Sequence, residues 1–170
     1  MIYKLVYNKT KDDFIELPVN AFGGISLPCM SSEFQRISIK PIHVITCDDS
    51  GGSVFPDFIH DNAVPLFSES VFSAMSEVGT EHLLKNDVTI TDEIDDITKH
   101  YILGLPPRIN VLDDFGSIDE AKCGNYAIFK SSNLSNNRIY ITEAMRMALD
   151  KIKPVGMEYY VLSDQSDKYV

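Results

Sequence analysis

Apolar residues recur at helical spacing in two segments of the chain, and each segment follows a short apolar run. In the first segment we predict Ser68 as the N-cap and Gly79 as the residue that ends the helix. In the second segment we predict Thr142 as the N-cap and Pro154 as the end. The predicted buried faces are Val71, Phe72, Met75 and Val78 in the first helix, and Met145, Ala148, Leu149 and Ile152 in the second.

Short runs rich in β-branched and aromatic residues predict about nine β-strands. They lie at 3–7, 37–39, 42–46, 88–90, 101–105, 108–112, 126–129, 139–141 and 159–162. The runs at 126–129 and 139–141 are predicted to form a hairpin across a polar loop, whereas 56–65 is predicted to be irregular. This element content predicts an α+β domain with a mixed or antiparallel sheet.

The two predicted helices lie in similar sequence contexts. Residues 66–69 align with 140–143, and the apolar positions of the two helices then match without a gap. A glycine and another apolar run follow each helix. One interpretation is a strand–helix–strand unit that is used twice. The other is that any short strand leading into a capped helix shows this pattern.

The charge of the chain is negative and unevenly distributed. Its 170 residues, which fit a single domain spanning 1–170, carry 25 acidic and 15 basic side chains and a formal net charge of −10. Residues 87–120 contain nine of the acidic side chains and two of the basic ones. Because nucleic-acid affinity comes largely from Lys and Arg that neutralise phosphates, this composition argues against unaided nucleic-acid binding. It favours a basic protein partner instead.

Cysteine use and the lengths of the apolar runs predict a cytoplasmic protein. Cys29, Cys47 and Cys123 are odd in number and widely spaced, which favours free thiols in a reducing compartment. Residues 1–14 lack an apolar stretch of signal-peptide length, and no segment approaches the ~20 apolar residues that span a bilayer. We therefore expect no membrane interaction.

Residue types that often carry chemistry form no strong pattern in this chain. The four histidines, His43, His60, His82 and His100, are spaced too widely to form ligand pairs, so no metal or other cofactor is predicted. Residues 49–52 have the Asp-Ser-Gly-Gly order of a protease nucleophile segment, but they lack its context and are interpreted as a turn. A pair of Cys47 with a histidine stays open, because a nucleophile and its base assemble from distant positions.

Acidic side chains within 87–120 are the candidate partner-binding residues. Two interpretations are open for the run 92–96: a solvated loop between strands, or a docking surface whose charge speeds association with a basic protein. Ile94 either anchors such an interface or points inward. The candidate residues are Asp92, Glu93, Asp95, Asp96, Asp113, Asp114, Asp119 and Glu120.

Several short motifs occur in a particular order between residues 57 and 162. They are Pro-Leu-Phe-Ser-Glu at 65–69, Tyr-Ile-Leu at 101–103, Leu-Asp at 112–113, Phe-Lys at 129–130, Ile-Tyr-Ile-Thr-Glu at 139–143, and Gly156 after the second helix. In this order and spacing the chain resembles a PLxSE-type family of bacterial immunity proteins from polymorphic toxin systems, formerly a domain of unknown function. Lys130 stands where the family pattern has arginine, and residues 1–56 have no clear counterpart in it.

The resemblance implies a non-enzymatic protein that binds and neutralises a cognate secreted toxin of interbacterial competition, for example one delivered by type VI secretion. It implies a cytoplasmic inhibitor that has no catalytic residues and needs no cofactor, and self-association is not predicted. A basic toxin domain, such as a nuclease, would complement the acidic side chains. Two alternatives stay open: a small cysteine-dependent hydrolase or transferase, and an adaptor or structural domain of a phage or secretion assembly.

Overall fold

Ten strands and two α-helices form within the residues that the computed structural model describes, which are 1–9, 13–19, 21–22, 41–47, 52–61, 64–131 and 138–162. The strands are β1 (Ile2–Tyr7), β2 (Ile42–Ile45), β3 (Phe58–Asp61), β4 (Val64–Ser68), β5 (Leu84–Asp92), β6 (Ile97–Leu105), β7 (Arg108–Ile109), β8 (Ile128–Ser131), β9 (Ile139–Thr142) and β10 (Met157–Val161). The helices are α1 (Glu69–Ser76) and α2 (Glu143–Asp150), and a 3₁₀-helix covers Glu120–Cys123.

These strands make two five-stranded sheets. Sheet I has the order β10-β1-β9-β8-β7, and sheet II has the order β2-β5-β6-β4-β3. Neighbouring strands are antiparallel except for the parallel pairs β7–β8 and β2–β5, so both sheets are mixed. The predicted α+β class is therefore confirmed, with strands predominating, and so is the antiparallel pairing of β8 with β9.

The strand–helix–strand unit occurs twice, with the same topology each time. In sheet II, β4 and β5 flank β6 and are antiparallel to it, so they run parallel to each other. In sheet I, β9 and β10 flank β1 in the same way. Each unit is thus a split β-α-β arrangement, and the two helices pack against each other. The inserted strand follows β5 directly in sheet II but comes from the N-terminus in sheet I.

The largest apolar cluster joins both sheets and both helices. Side chains alternate between the two faces of each strand, so one face of each sheet contributes to this shared cluster. The opposite face of each sheet contributes to a separate cluster of its own. On sheet I that second cluster includes Val111 and Cys123 from the segment that follows β7. On sheet II it includes Ile15 and Phe22. Each sheet therefore has buried apolar residues on both of its faces.

The segment 56–65, which was predicted to be irregular, contains β3 and the start of β4, so that prediction is wrong. These two strands pair from Phe58 opposite Phe67 to Asp61 opposite Val64. Prolines on both sides of β3 are unfavourable for a strand and led to the wrong prediction. The four residues of β3 are stabilised by pairing with β4 rather than by their intrinsic β-propensity. Pro65 lies in β4 just before the β4–β6 pairing begins at Leu66, where its missing N–H costs no ladder hydrogen bond.

Helix α1 begins and ends close to the predicted residues, whereas α2 is shorter than predicted. Ile152 lies beyond the end of α2 and is exposed, so it does not belong to the buried face. Lys153, just before Pro154, has a φ of 49°, and this left-handed conformation takes the chain out of the helical path. Thr142 is the N-cap by position, but its side chain makes no capping hydrogen bond.

Several sequence predictions lie outside the described residues. They are the strand at 37–39, the protease-like turn at 49–52 apart from its last residue, Cys29, and most of the polar loop between β8 and β9. In the part of the chain that is described, no helix is long and apolar enough to cross a membrane.

Candidate partner-binding surface

The acidic run 92–96 lies at the tip of a long hairpin. Strands β5 and β6 pair along their whole length, from Leu84 opposite Leu105 to Asp92 opposite Ile97. The four residues 93–96 connect them. β6 has nine residues and so is about 27 Å long, which places the tip far from the end at Leu105, where the chain leaves for sheet I.

Asp92 holds this loop in shape and is not part of its exposed surface. Its side chain is only 2% exposed, because it continues the inward alternation of Val88 and Ile90 along β5. Its Oδ1 accepts hydrogen bonds from the backbone N–H groups of Ile94 (2.9 Å) and Asp95 (3.3 Å). The prediction of Asp92 as a contact residue is therefore corrected: it positions the loop that carries the others.

The other three carboxylates of the run, those of Glu93, Asp95 and Asp96, are exposed. They are neighbours in the chain of Ile94, whose side chain is 64% exposed. Asp96 has a φ of 52°, a left-handed conformation that aspartate tolerates better than most residues. The hairpin tip thus presents one exposed apolar side chain and three exposed carboxylates on four consecutive residues.

The remaining four candidates, Asp113, Asp114, Asp119 and Glu120, lie together on the segment that covers the outer face of sheet I. Asp119 caps the 3₁₀-helix by accepting from the N–H of Ala121 (3.0 Å). Glu120 forms an exposed ion pair with the amino group of Met1 (2.6 Å). Asp114 is exposed. The eight predicted residues therefore form two groups, one on each sheet.

Asp113 folds a tight loop that sequence analysis did not single out. Its Oδ1 accepts from the N–H groups of Phe115 (2.9 Å) and Ser117 (2.8 Å), and its own N–H donates to the carbonyl of Ser117 (2.8 Å). Phe115 is 93% exposed at the tip of this loop. The turn-forming order Asp-Asp-Phe-Gly-Ser was the available signal, but nothing in the sequence distinguishes an exposed phenylalanine from one in the core.

Several of the motif residues lie around Asp57, where the two strand–helix–strand units contact each other; we call this contact the node. Ser68 donates from its Oγ to Oδ1 of Asp57 (2.8 Å), while Oδ2 of Asp57 accepts from the N–H of Val155 (2.8 Å). Asp57 therefore links the start of α1 in one strand–helix–strand unit to the loop before β10 in the other. Ser68 also accepts, at 3.4 Å, from the N–H of Val71 as the α1 N-cap.

Two further motif residues stabilise the same node. Gly156 has a φ of 81°, and a Cβ at this position would lie 2.9 Å from Cβ of Pro56. The buried hydroxyl of Tyr101 donates to the carbonyl of Pro56 (2.7 Å), and burial raises the pKa of Tyr101. We conclude that Ser68, Tyr101 and Gly156 have structural roles in this fold.

The aromatic–basic motif pair is also buried. Lys130 in β8 is 1% exposed, and Phe129 stacks with Tyr140 of β9.

Nε2 of His60 on β3 is buried with no hydrogen-bond partner among the described residues. Burial lowers the pKa of His60 to about 4, and the positive charges of Lys130 and Lys9 act in the same direction. His60 is therefore neutral in the folded chain at neutral pH.

The cysteines and histidines of the described segments form no group that resembles a catalytic or metal centre. Cys47 follows β2, is half-buried, and has no hydrogen-bonded histidine or carboxylate in the described part of the chain. Burial raises the pKa of Cys123, and the negative charge of Glu120 raises it further. Among the residues described, no three His, Cys, Asp or Glu side chains are arranged to bind a metal ion.

No protein-family model matches the chain, and no significantly similar protein was found among curated proteins.

Proposed function

We propose that this chain is an immunity protein that binds a cognate secreted bacterial toxin in the cytoplasm and covers its working surface. The observation that carries the proposal is the hairpin tip at 93–96. There, three exposed carboxylates and the exposed Ile94 share a four-residue loop that hydrogen bonds from its backbone to Asp92 hold in place. Such a charged loop speeds association with a basic protein, and a central apolar side chain adds affinity after docking.

The distribution of the sequence motifs supports the proposal. Ser68, Tyr101 and Gly156 have structural roles inside the fold, whereas the carboxylates of Glu93, Asp95, Asp96 and Asp114 are exposed on loops and can contact a partner. A protein that works by blocking another needs a rigid scaffold and a complementary surface, and it needs no catalytic cavity. A basic toxin domain is the partner whose charge complements this surface.

A cysteine-dependent enzyme is the main rival hypothesis, and no contact of Cys47 in the described residues favours it. Thiol labelling at neutral pH separates the two hypotheses. A catalytic thiolate would react much faster than an ordinary thiol, whereas the proposed inhibitor should label at the ordinary rate of a half-buried cysteine.

The proposal is tested with the product of the adjacent gene. We expect that protein to arrest growth when it is expressed alone and to lose this effect when the present chain is co-expressed. The two proteins should also co-purify in moderate salt. Growth arrest without rescue, together with no complex in solution, would show that the proposal is wrong.

A charge-reversal variant tests the role of the hairpin tip. Glu93→Lys with Asp95→Lys changes the charge by four units and leaves Asp92 and Asp96, which shape the turn, in place. We expect the association rate to fall by at least about tenfold and to depend less on salt, since electrostatic steering raises such rates by about 10- to 1000-fold. Stopped-flow fluorescence with the adjacent gene product measures both quantities.

The matched control is Glu77→Lys with Glu81→Lys, which makes the same change of charge at exposed positions after α1. If both variants slow association equally, net charge alone is responsible and the hairpin tip has no special role. If neither variant slows association, the run 92–96 is only a solvated loop.

A further inference from the structure

Phe115 is more exposed than any other large apolar side chain in the described part of the chain. Its exposed fraction is 93%, compared with 92% for the smaller Val19 and 64% for Ile94 at the hairpin tip. Scattered apolar side chains on a surface are ordinary, but most of them keep one side against the protein. Phe115 instead projects nearly its whole ring into solvent.

The loop that carries Phe115 is closely hydrogen-bonded. The backbone bridge between Leu112 and Ile118 closes its base, and Val111 just before it is fully buried in the core of sheet I. Asp113 accepts from two loop N–H groups, and the N–H of Gly116 donates to the carbonyl of Asp113 (3.2 Å). A loop fixed in this way loses little conformational entropy when a partner binds it.

We infer that Phe115 is an apolar anchor of the toxin contact and that it enters a pocket on a basic protein surface. The inference rests on the proposed function and names a second contact with the same partner. Charge complementarity identifies the partner as basic: Asp114, which precedes Phe115 in the chain, is exposed, and residues 87–120 carry nine acidic against two basic side chains. Aromatic side chains surrounded by polar residues are the usual hot spots of such interfaces.

The test is the affinity of Phe115→Ala for the adjacent gene product, measured by calorimetry or surface plasmon resonance. We expect Kd to rise at least about thirtyfold, mainly through faster dissociation, which corresponds to the lower limit for a hot-spot residue. Phe115→Leu should retain part of the affinity. The thermal midpoint should not change, because the ring contacts almost nothing in the free protein.

Val19→Ala is the matched control, because Val19 is 92% exposed and lies outside the acidic segment. If the wild-type chain binds and Phe115→Ala binds equally well, the inference is wrong and the proposed function stands. An equal loss of affinity for Val19→Ala also overturns the inference, since the effect would not be specific to the loop. If the wild-type chain does not bind, the proposed function fails and the inference fails with it.

Discussion

Replacing His60 should remove an acid-sensitive contribution to the stability of the fold. In the native chain His60 is half-buried, its Nε2 is buried with no hydrogen-bond partner among the described residues, and burial lowers its pKa to about 4. In the unfolded chain the pKa of histidine is about 6.5. Between these values the unfolded state binds more protons, so the free energy of unfolding falls as the pH is lowered from about 6.5 toward 4.

The size of the effect follows from the difference between the two pKa values. A difference of about 2.5 units corresponds to about 3 kcal/mol at most, with a slope of up to about 1.4 kcal/mol per pH unit. The stabilising contribution is fully present above pH 6.5 and is lost as the pH approaches the native pKa. Because domains of this size have about 5–15 kcal/mol of stability, this single group is expected to matter below pH 5.5.

Urea denaturation of the wild type and of His60→Leu at pH 7.5, 6.5, 5.5 and 4.5 measures the effect. The stability of the wild type minus that of the variant should decrease by about 2.5 kcal/mol over this range, since titration of the carboxylates is common to both proteins and cancels. His100→Leu, at an exposed position on β6, is the control for the loss of an imidazole as such. A difference for His60→Leu that does not change with pH would refute the reasoning, because it would mean that His60 titrates normally in the folded state.

Two further predictions concern the node around Asp57. Ser68→Ala should lower the free energy of unfolding by about 1–2 kcal/mol, because it removes the contact with Asp57 and the α1 cap. Thr142→Ala should lower it by less than about 0.5 kcal/mol, because that side chain makes no capping hydrogen bond. Equal losses for the two variants in urea denaturation would contradict this prediction. Gly156→Ala should cost about 2–4 kcal/mol, since it combines a positive φ with a 2.9 Å approach to Cβ of Pro56. A thermal midpoint within one degree of wild type would show that the loop relaxes freely.

Local sequence signals predicted the helices because capping residues and apolar spacing act within one or two turns. Ser68 and Gly79 mark the ends of α1 within a few residues of those observed. Strand β3 could not be predicted in the same way, because a strand of four residues between prolines is stabilised by its pairing with β4. The two-sheet arrangement was equally inaccessible, since β1 pairs with β9 and β10 from the far end of the chain.

The candidate surface was only partly predictable, for a different physical reason. Charge density identified the run 92–96, but it could not show that Asp92 turns inward while its neighbours face solvent. The period-two alternation of β5 contained that information, because Val88, Ile90 and Asp92 share one face. Phe115 carried no comparable signal: its exposure depends on the hydrogen bonds of Asp113, which exist only once the loop has folded.

The structure separates the residues that build this fold from those proposed to bind a partner. Ser68, Tyr101 and Gly156 are held at the node or in the core, where substitution costs stability. Ile94 and Phe115 project into solvent from loops whose shapes are set by other side chains. The identity of the exposed residues can therefore change without altering the scaffold. On the proposed function, the same fold could be adapted to different toxins by substitutions at the two loop tips, and such substitutions should alter affinity while leaving stability within about 0.5 kcal/mol of wild type.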